Sequence, residues 1–125
     1  QYVVKITPIS EEELQIRCET TLRTGFQVEG HLTMIPHLDQ PIQLSSGETL
    51  SLREDEIRKT FNAAGWITHA GWRLSIPPDA RLIWPVLPHN PYRKQGDATI
   101  EEARIVVALP FSTYRSRYGL TLTVE

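Results

Sequence analysis

The sequence predicts an all-β domain, most simply an antiparallel two-sheet β-sandwich. The main observation is a strict alternation of apolar and polar residues along short runs, as in "LQIRC", where Leu14, Ile16 and Cys18 share one face. A period of two is typical of strands that bury one side. Turn-forming residues recur about every ten residues, as in sandwiches and barrels. Because each strand has one apolar face, two packed sheets account for the pattern.

Two stretches are typical of β-hairpins. In "PIQLSSGETLSL" (41–52), Ser46 and Gly47 separate two short apolar runs. In "WRLSIPPDARLIWPV" (72–86), the segment "PPDA" separates two alternating runs, and proline favours a turn there. We also interpret "YRSRYG" (114–119) as a hairpin turn between the last two strands rather than as a nucleic-acid contact.

One segment departs from the strand pattern. The capping-box pair Ser51 and Glu54, with two charge pairs spaced by four residues, favours a short helix near 52–64. A strand that continues from the preceding hairpin, with Ile57 and Phe61 facing inward, is the alternative. The sequence leaves both open.

Size and charge limit the class of protein. The 125 residues, of which 40% are hydrophobic, predict one domain over 1–125. The net charge of −2 provides no general attraction to nucleic acid or to an anionic membrane. No apolar run approaches the roughly 20 residues that span a bilayer. Because the chain begins at Gln1 rather than Met, we expect a piece of a longer chain; compartment and oligomeric state stay open.

The sequence contains no strong motif for a catalytic, metal-binding or phosphate-binding site. His31, His37 and Asp39 do not have the i,i+2 spacing by which one side of a strand presents metal ligands. There is neither a G-x-S-x-G motif nor a glycine-rich phosphate loop. Cys18 alternates with apolar residues, which indicates a core thiol. We therefore expect no metal, no cofactor and no catalytic residue in this chain.

The stretch "WPVLPHNPYRKQGD" (84–97) is the most distinctive feature. Its prolines recur every third residue, and "PHNPYR" matches a pattern that SH3 domains bind, but strands flank it on both sides. We expect a stiff crossover, with Trp84 in the core. A flat ring beside amide and cationic donors suits a sugar, so we expect ligand contacts from the side chains that follow Pro88 and from one nearby histidine. These predicted contact residues are His89, Asn90, Tyr92, Arg93, Lys94 and His69.

His69 enters this set through strand alternation. If residues 66–73 form one continuous strand with Trp66 and Trp72 facing inward, His69 and Arg73 point outward. We expect them to face the proline-rich stretch.

The run "GWITHAGWRLSIPPDARLIWPVLPHNPY" and the later "EEARIVVALPF", roughly 66–111, resemble the β-sandwich that closes many multidomain polysaccharide lyases and glycoside hydrolases of the heparinase II/III kind. In such enzymes catalysis belongs to a separate helical domain or to a cleft shared with the sandwich. The resemblance therefore implies a non-catalytic accessory or interaction module, with a glycan or an adjacent catalytic domain as partner. The alternatives are a small glycan-acting enzyme that uses His69, His89 and Arg93, and a protein-binding scaffold.

Overall fold

The computed structural model describes residues 2–22, 25–88 and 99–125, and it confirms an all-β sandwich. No helix in this part of the chain is long and apolar enough to cross a bilayer. A single 3₁₀ turn among these residues, Ile100–Glu102, precedes the tenth strand. The strands within the described ranges are β1 (Tyr2–Pro8), β2 (Glu13–Thr20), β3 (Gln27–Met34), β4 (Ile42–Leu44), β5 (Thr49–Leu50), β6 (Ile57–Thr60), β7 (Gly65–His69), β8 (Trp72–Ile76), β9 (Arg81–Val86), β10 (Arg104–Ser112) and β11 (Arg117–Val124).

The strands form two antiparallel sheets of unequal width. The larger sheet has seven strands in the order β1-β2-β11-β8-β7-β4-β5, and the smaller has four in the order β3-β10-β9-β6. Their apolar faces meet in one core, because alternate residues of each strand point to the same side. The largest fully buried side chains include Trp84, Phe111, Ile67, Leu74, Leu82 and Leu120.

The hairpin predicted around Ser46 and Gly47 is confirmed. It joins β4 to β5, the amide of Leu44 donates to the carbonyl of Glu48 at 2.9 Å, and Gly47 has a φ of 98°. A positive φ favours glycine because other L-residues are strained there.

The hairpin predicted around "PPDA" is wrong. The strand before it, β8, belongs to the larger sheet, whereas β9 belongs to the smaller one, so this segment carries the chain from one sheet to the other. Asp79 has a φ of 72°, and its amide donates to the carbonyl of Phe61 at 2.7 Å. The same correction applies to "YRSRYG", because β10 and β11 lie in different sheets. Turn residues indicate that the chain reverses but not which sheet it enters next.

The short helix considered near 52–64 does not form. The Asp55 carboxylate accepts from the amide of Ser51 at 2.7 Å, and the Asp55 amide donates to the Ser51 carbonyl at 2.8 Å, so one turn closes here. The chain then enters β6, which pairs with β9 at the edge of the smaller sheet. Ile57 and Phe61 are buried, as the strand alternative predicted, but β6 does not continue from the hairpin, because β5 lies in the larger sheet and β6 in the smaller.

Because seven strands face four, part of the larger sheet has no cover. Ile6 on β1, Ile16 on β2 and Leu120 on β11 are register partners across three neighbouring strands, so they share the interior face. Leu120 is 1% exposed, Ile16 is half-buried and Ile6 is 60% exposed. The smaller sheet therefore ends before it reaches β1.

Candidate functional site

His69 faces the interior, so the prediction that it points outward beside Arg73 is wrong. β7 and β8 are not one strand: Ala70 and Gly71, both with positive φ, form a two-residue turn between them. The turn pairs His69 with Trp72, and register partners lie on the same face. The two-residue turn thus reverses the faces that a continuous strand would have.

The His69 ring fastens a neighbouring loop. Its Nδ1 donates to the carbonyl of Pro41 at 3.0 Å, and its Nε2 accepts from the backbone amide of His37 at 3.0 Å, which is the assignment for a neutral ring. The side chain is 2% exposed, and burial lowers its pKa. With both ring nitrogens hydrogen-bonded to backbone groups, His69 holds residues 36–41 against β7.

His89, Asn90, Tyr92, Arg93 and Lys94 lie outside the described residues. The described chain stops at Pro88 and resumes at Thr99. Beside these two points is an open depression of about 490 Å³ on the outer face of the smaller sheet, with His31, Thr33 and Arg104 among its walls.

Trp84 lies in the core, as predicted. It is fully buried, and its indole N–H donates to the carbonyl of Leu52 at 2.9 Å. A buried indole requires such an acceptor, which the loop before β6 supplies. The start of the proline-rich stretch is therefore structural.

An ion-pair network crosses the middle of the same outer face. The Glu29 carboxylate on β3 accepts from His31 Nε2 at 3.0 Å and from Arg81 Nε at 3.2 Å. Arg81 comes from β9 and reaches Glu29 across β10. The residue of β10 that pairs with Arg81 is Ala108, which is small enough to let the side chain pass. The hydrogen bond from His31 and those from Arg81 hold the pKa of the Glu29 carboxyl below its usual range. The Glu29 carboxylate therefore lies between His31 of its own strand and Arg81 of β9.

A second open depression, of about 530 Å³, lies where β3 begins and β10 ends. Its polar lining includes Gln27, Asp79 and Arg115. Phe111 and Tyr118 also line it, and their rings meet edge to face with centroids 5.1 Å apart. The depression thus combines hydrogen-bond acceptors and donors with two aromatic rings in its lining.

Two exposed aromatic residues are the chain neighbours of residues that line this second depression: Phe26 precedes Gln27, and Tyr114 precedes Arg115. Gln27 is the register partner of Ser112, so Phe26 lies next to the turn that follows β10. Tyr114 is in that turn and is 100% exposed, while Phe26 is 60% exposed. We call Phe26, Tyr114 and the depression that their neighbours line the aromatic rim.

The aromatic rim was not predicted from the sequence. In the sequence, Phe26 begins an alternating run and Tyr114 falls in the predicted turn "YRSRYG", so neither ring stands out as a contact residue. The available indication was that both rings adjoin turn residues, where strands no longer bury side chains.

Other titratable clusters are few. The described residues contain no group of three or more His, Cys, Asp or Glu side chains placed to hold a metal ion. Cys18 is a core thiol, as predicted, and burial raises its pKa. A thiol that is buried and protonated is a weak nucleophile.

Comparison with protein-family models, curated proteins and solved structures found no match to this chain. Its function is therefore inferred from the geometry of the described residues.

Proposed function

We propose that this chain is a non-catalytic accessory module of a carbohydrate-active enzyme, and that it packs the uncovered part of its larger sheet against an adjacent catalytic domain. The observation that carries the proposal is the exposure of interior-facing aliphatic residues on β1. Val4 is 40% exposed and Ile6 is 60% exposed, although both share a face with the buried Cys18.

These side chains form one patch. Val4 is the register partner of Cys18, Ile6 of Ile16, and Pro8 of Leu14, so aliphatic groups continue from β1 onto β2. We call the β1 and β2 side chains of this face the apolar overhang. Single exposed aliphatic residues are common on protein surfaces, whereas contiguous ones indicate a contact with another molecule or domain.

The opposite face of the same strands is polar. There, Lys5 Nζ lies 3.7 Å from a carboxylate oxygen of Glu19. The difference between the faces is what a sheet buried on only one side requires. The apolar overhang therefore has the composition of an interior face that a partner covers.

Packing of the face fits better than addition of a strand to the edge. β1 is the outermost strand of its sheet, but it carries Lys5 at its centre and Pro8 at its end. Lysine and proline on edge strands oppose pairing with another strand. A folded domain that covers Val4 and Ile6 from the interior side does not need to pair with the edge, so Lys5 and Pro8 do not oppose it.

Amide hydrogen exchange tests this proposal. The isolated chain is compared with the polypeptide that carries this sequence together with a catalytic domain. We expect the β1 amides to exchange at least tenfold more slowly in the longer polypeptide, and Ile6→Asp to abolish the difference. Thr7→Asp, on the polar face of the same strand, is the matched control and should preserve it. Equal exchange in the two wild-type proteins would rule the proposal out.

A glycan contact by His89, Asn90, Tyr92, Arg93 and Lys94 is the second candidate function. It is favoured by the open depression beside Pro88, where Thr33 and Arg104 could contribute to the same contact. Tyr92→Ala is the variant that tests it, and it belongs in the same titration as the variants of the aromatic rim.

A further inference from the structure

We propose that the aromatic rim is a second binding site, and that it takes a neutral pyranose unit of a polysaccharide. This inference goes beyond the packing of the apolar overhang, because the two surfaces share no residue. It rests on the two exposed rings, on the polar groups of the adjoining depression, and on the hydrogen-bonded turn that carries Tyr114.

The exposure of the rings sets them apart from the aromatic residues of the core. Trp84, Phe111 and Tyr118 are buried, whereas Phe26 and Tyr114 lie mostly in water. An aromatic side chain gains much from burial, so two exposed rings at one end of a sheet are a natural platform for a ligand. The apolar C–H face of a pyranose ring can stack on such rings.

The backbone beneath Tyr114 is held tightly. The amides of Tyr114 and Arg115 each donate to Ser112 Oγ at 3.2 Å, and the Ser112 amide donates to the Arg115 carbonyl at 3.0 Å. The turn is thus closed by its own hydrogen bonds. A preorganised turn lowers the entropy lost when the ring is immobilised by a ligand.

The polar groups of the depression suit hydroxyl groups. Asp79 supplies carboxylate acceptors, Gln27 an amide that both donates and accepts, and Arg115 guanidinium donors. The Arg115 guanidinium carbon lies 4.4 Å from the centroid of the Tyr118 ring. Among the described residues, neither Asp79 nor Arg115 has an ion-pair partner, so their side-chain hydrogen-bonding groups are available. Sugar hydroxyls donate to carboxylates and accept from guanidinium groups.

The balance of charge indicates a neutral sugar. Asp79 and Arg115 bring one negative and one positive charge to the depression, and the Glu29 carboxylate that also lines it is paired with Arg81. The depression therefore offers a phosphate or sulfate group no excess of positive charge, which also disfavours the stacking of single-stranded nucleic acid on these rings. The volume of about 530 Å³ lies within the range of small-ligand pockets.

A glycan array of neutral and sulfated polysaccharides, followed by calorimetric titration of a soluble neutral ligand from the array, tests the proposal. Tyr114→Ala should weaken binding at least tenfold, and Asp79→Asn at least fivefold. Asparagine tolerates the positive φ at position 79, so the fold should be kept. Thr113→Ala, in the same turn and also exposed, is the matched control and should leave the affinity within twofold.

Three outcomes would overturn the proposal. One is that the wild type binds no neutral glycan on the array. Another is that Tyr114→Ala keeps full affinity while Tyr92→Ala loses it, which would assign the contact to the proline-rich stretch. The third is that only sulfated ligands bind, with an affinity that falls as salt rises. Hydrogen exchange on β1 is independent of all three, so failure here and failure of the proposed packing are distinguishable.

Discussion

The β1–β2 half of the larger sheet and its β8–β7 half present the same kind of side chain to the interior, but the first half is covered only in part. Leu74 on β8 and Ile67 on β7 are buried beneath the smaller sheet. On β1, Val4 and Ile6 have equivalent positions in the alternation and remain largely exposed.

The difference teaches that alternation determines which way a side chain points, whereas the partner sheet determines whether it is buried. The smaller sheet ends at β3, with four strands against seven. Tyr2 is the one β1 residue whose ring reaches it, edge-on to Phe111 with centroids 5.7 Å apart. On the rest of β1, the side chains that point to the interior side of the sheet are therefore exposed to solvent.

The largest expected effect is on the free energy of unfolding, which alanine substitutions in the two halves should lower by different amounts. Leu120→Ala should lower the free energy of unfolding by about 2–5 kcal/mol, because it leaves a cavity in a packed core. Ile6→Ala, in the same row of the sheet, should cost under about 1 kcal/mol, and Ile16→Ala should fall between them. Urea denaturation of the three variants measures the gradient. Equal costs at Ile6 and Leu120 would mean that the uncovered half is buried in solution.

The sequence predicts the faces of the strands well, because that information is local. Cys18 and Trp84 were expected in the core from alternation alone, and both are fully buried. The same holds for the β4–β5 hairpin, because the positive φ of Gly47 is a property of a single residue.

Pairing between strands is not local, and there the sequence predictions fail. Nothing in "PPDA" distinguishes a hairpin from a crossover, because the choice depends on which sheet has room for β9. The Ala70–Gly71 turn was missed because alanine with positive φ is not a usual turn residue, and this reversed the face of His69. The aromatic rim depends on the meeting of two strand ends, which only the register between β3 and β10 specifies.

A smaller loss of stability is expected from a substitution at Gly30, where β3 lies against Tyr2 of β1. A Cβ atom at Gly30 would lie 2.6 Å from the Phe111 ring and 2.7 Å from the Tyr2 ring, closer than packed carbon atoms approach. Gly30→Ala should therefore cost about 1–3 kcal/mol. The cost should shrink in a Tyr2→Ala background, because one of the two clashes is removed. Strictly additive costs in a double-mutant cycle would show that Tyr2 does not close this edge.

The smallest expected effect concerns the covered half and depends on pH. Burial lowers the pKa of His69 below its ordinary value of 6.5, so the unfolded chain binds a proton more readily than the folded one. The stability that His69 contributes is thus fully present above pH 6.5 and is lost as the pH falls from there toward its folded-state pKa. The slope should approach about 1.4 kcal/mol per pH unit for this one proton. Urea denaturation between pH 7.5 and 5 measures it, and His69→Asn should flatten the dependence in that window. An unchanged dependence in the variant would mean that His69 is accessible to protons in the folded state, and hence that the covered half is less tightly closed than its packing indicates.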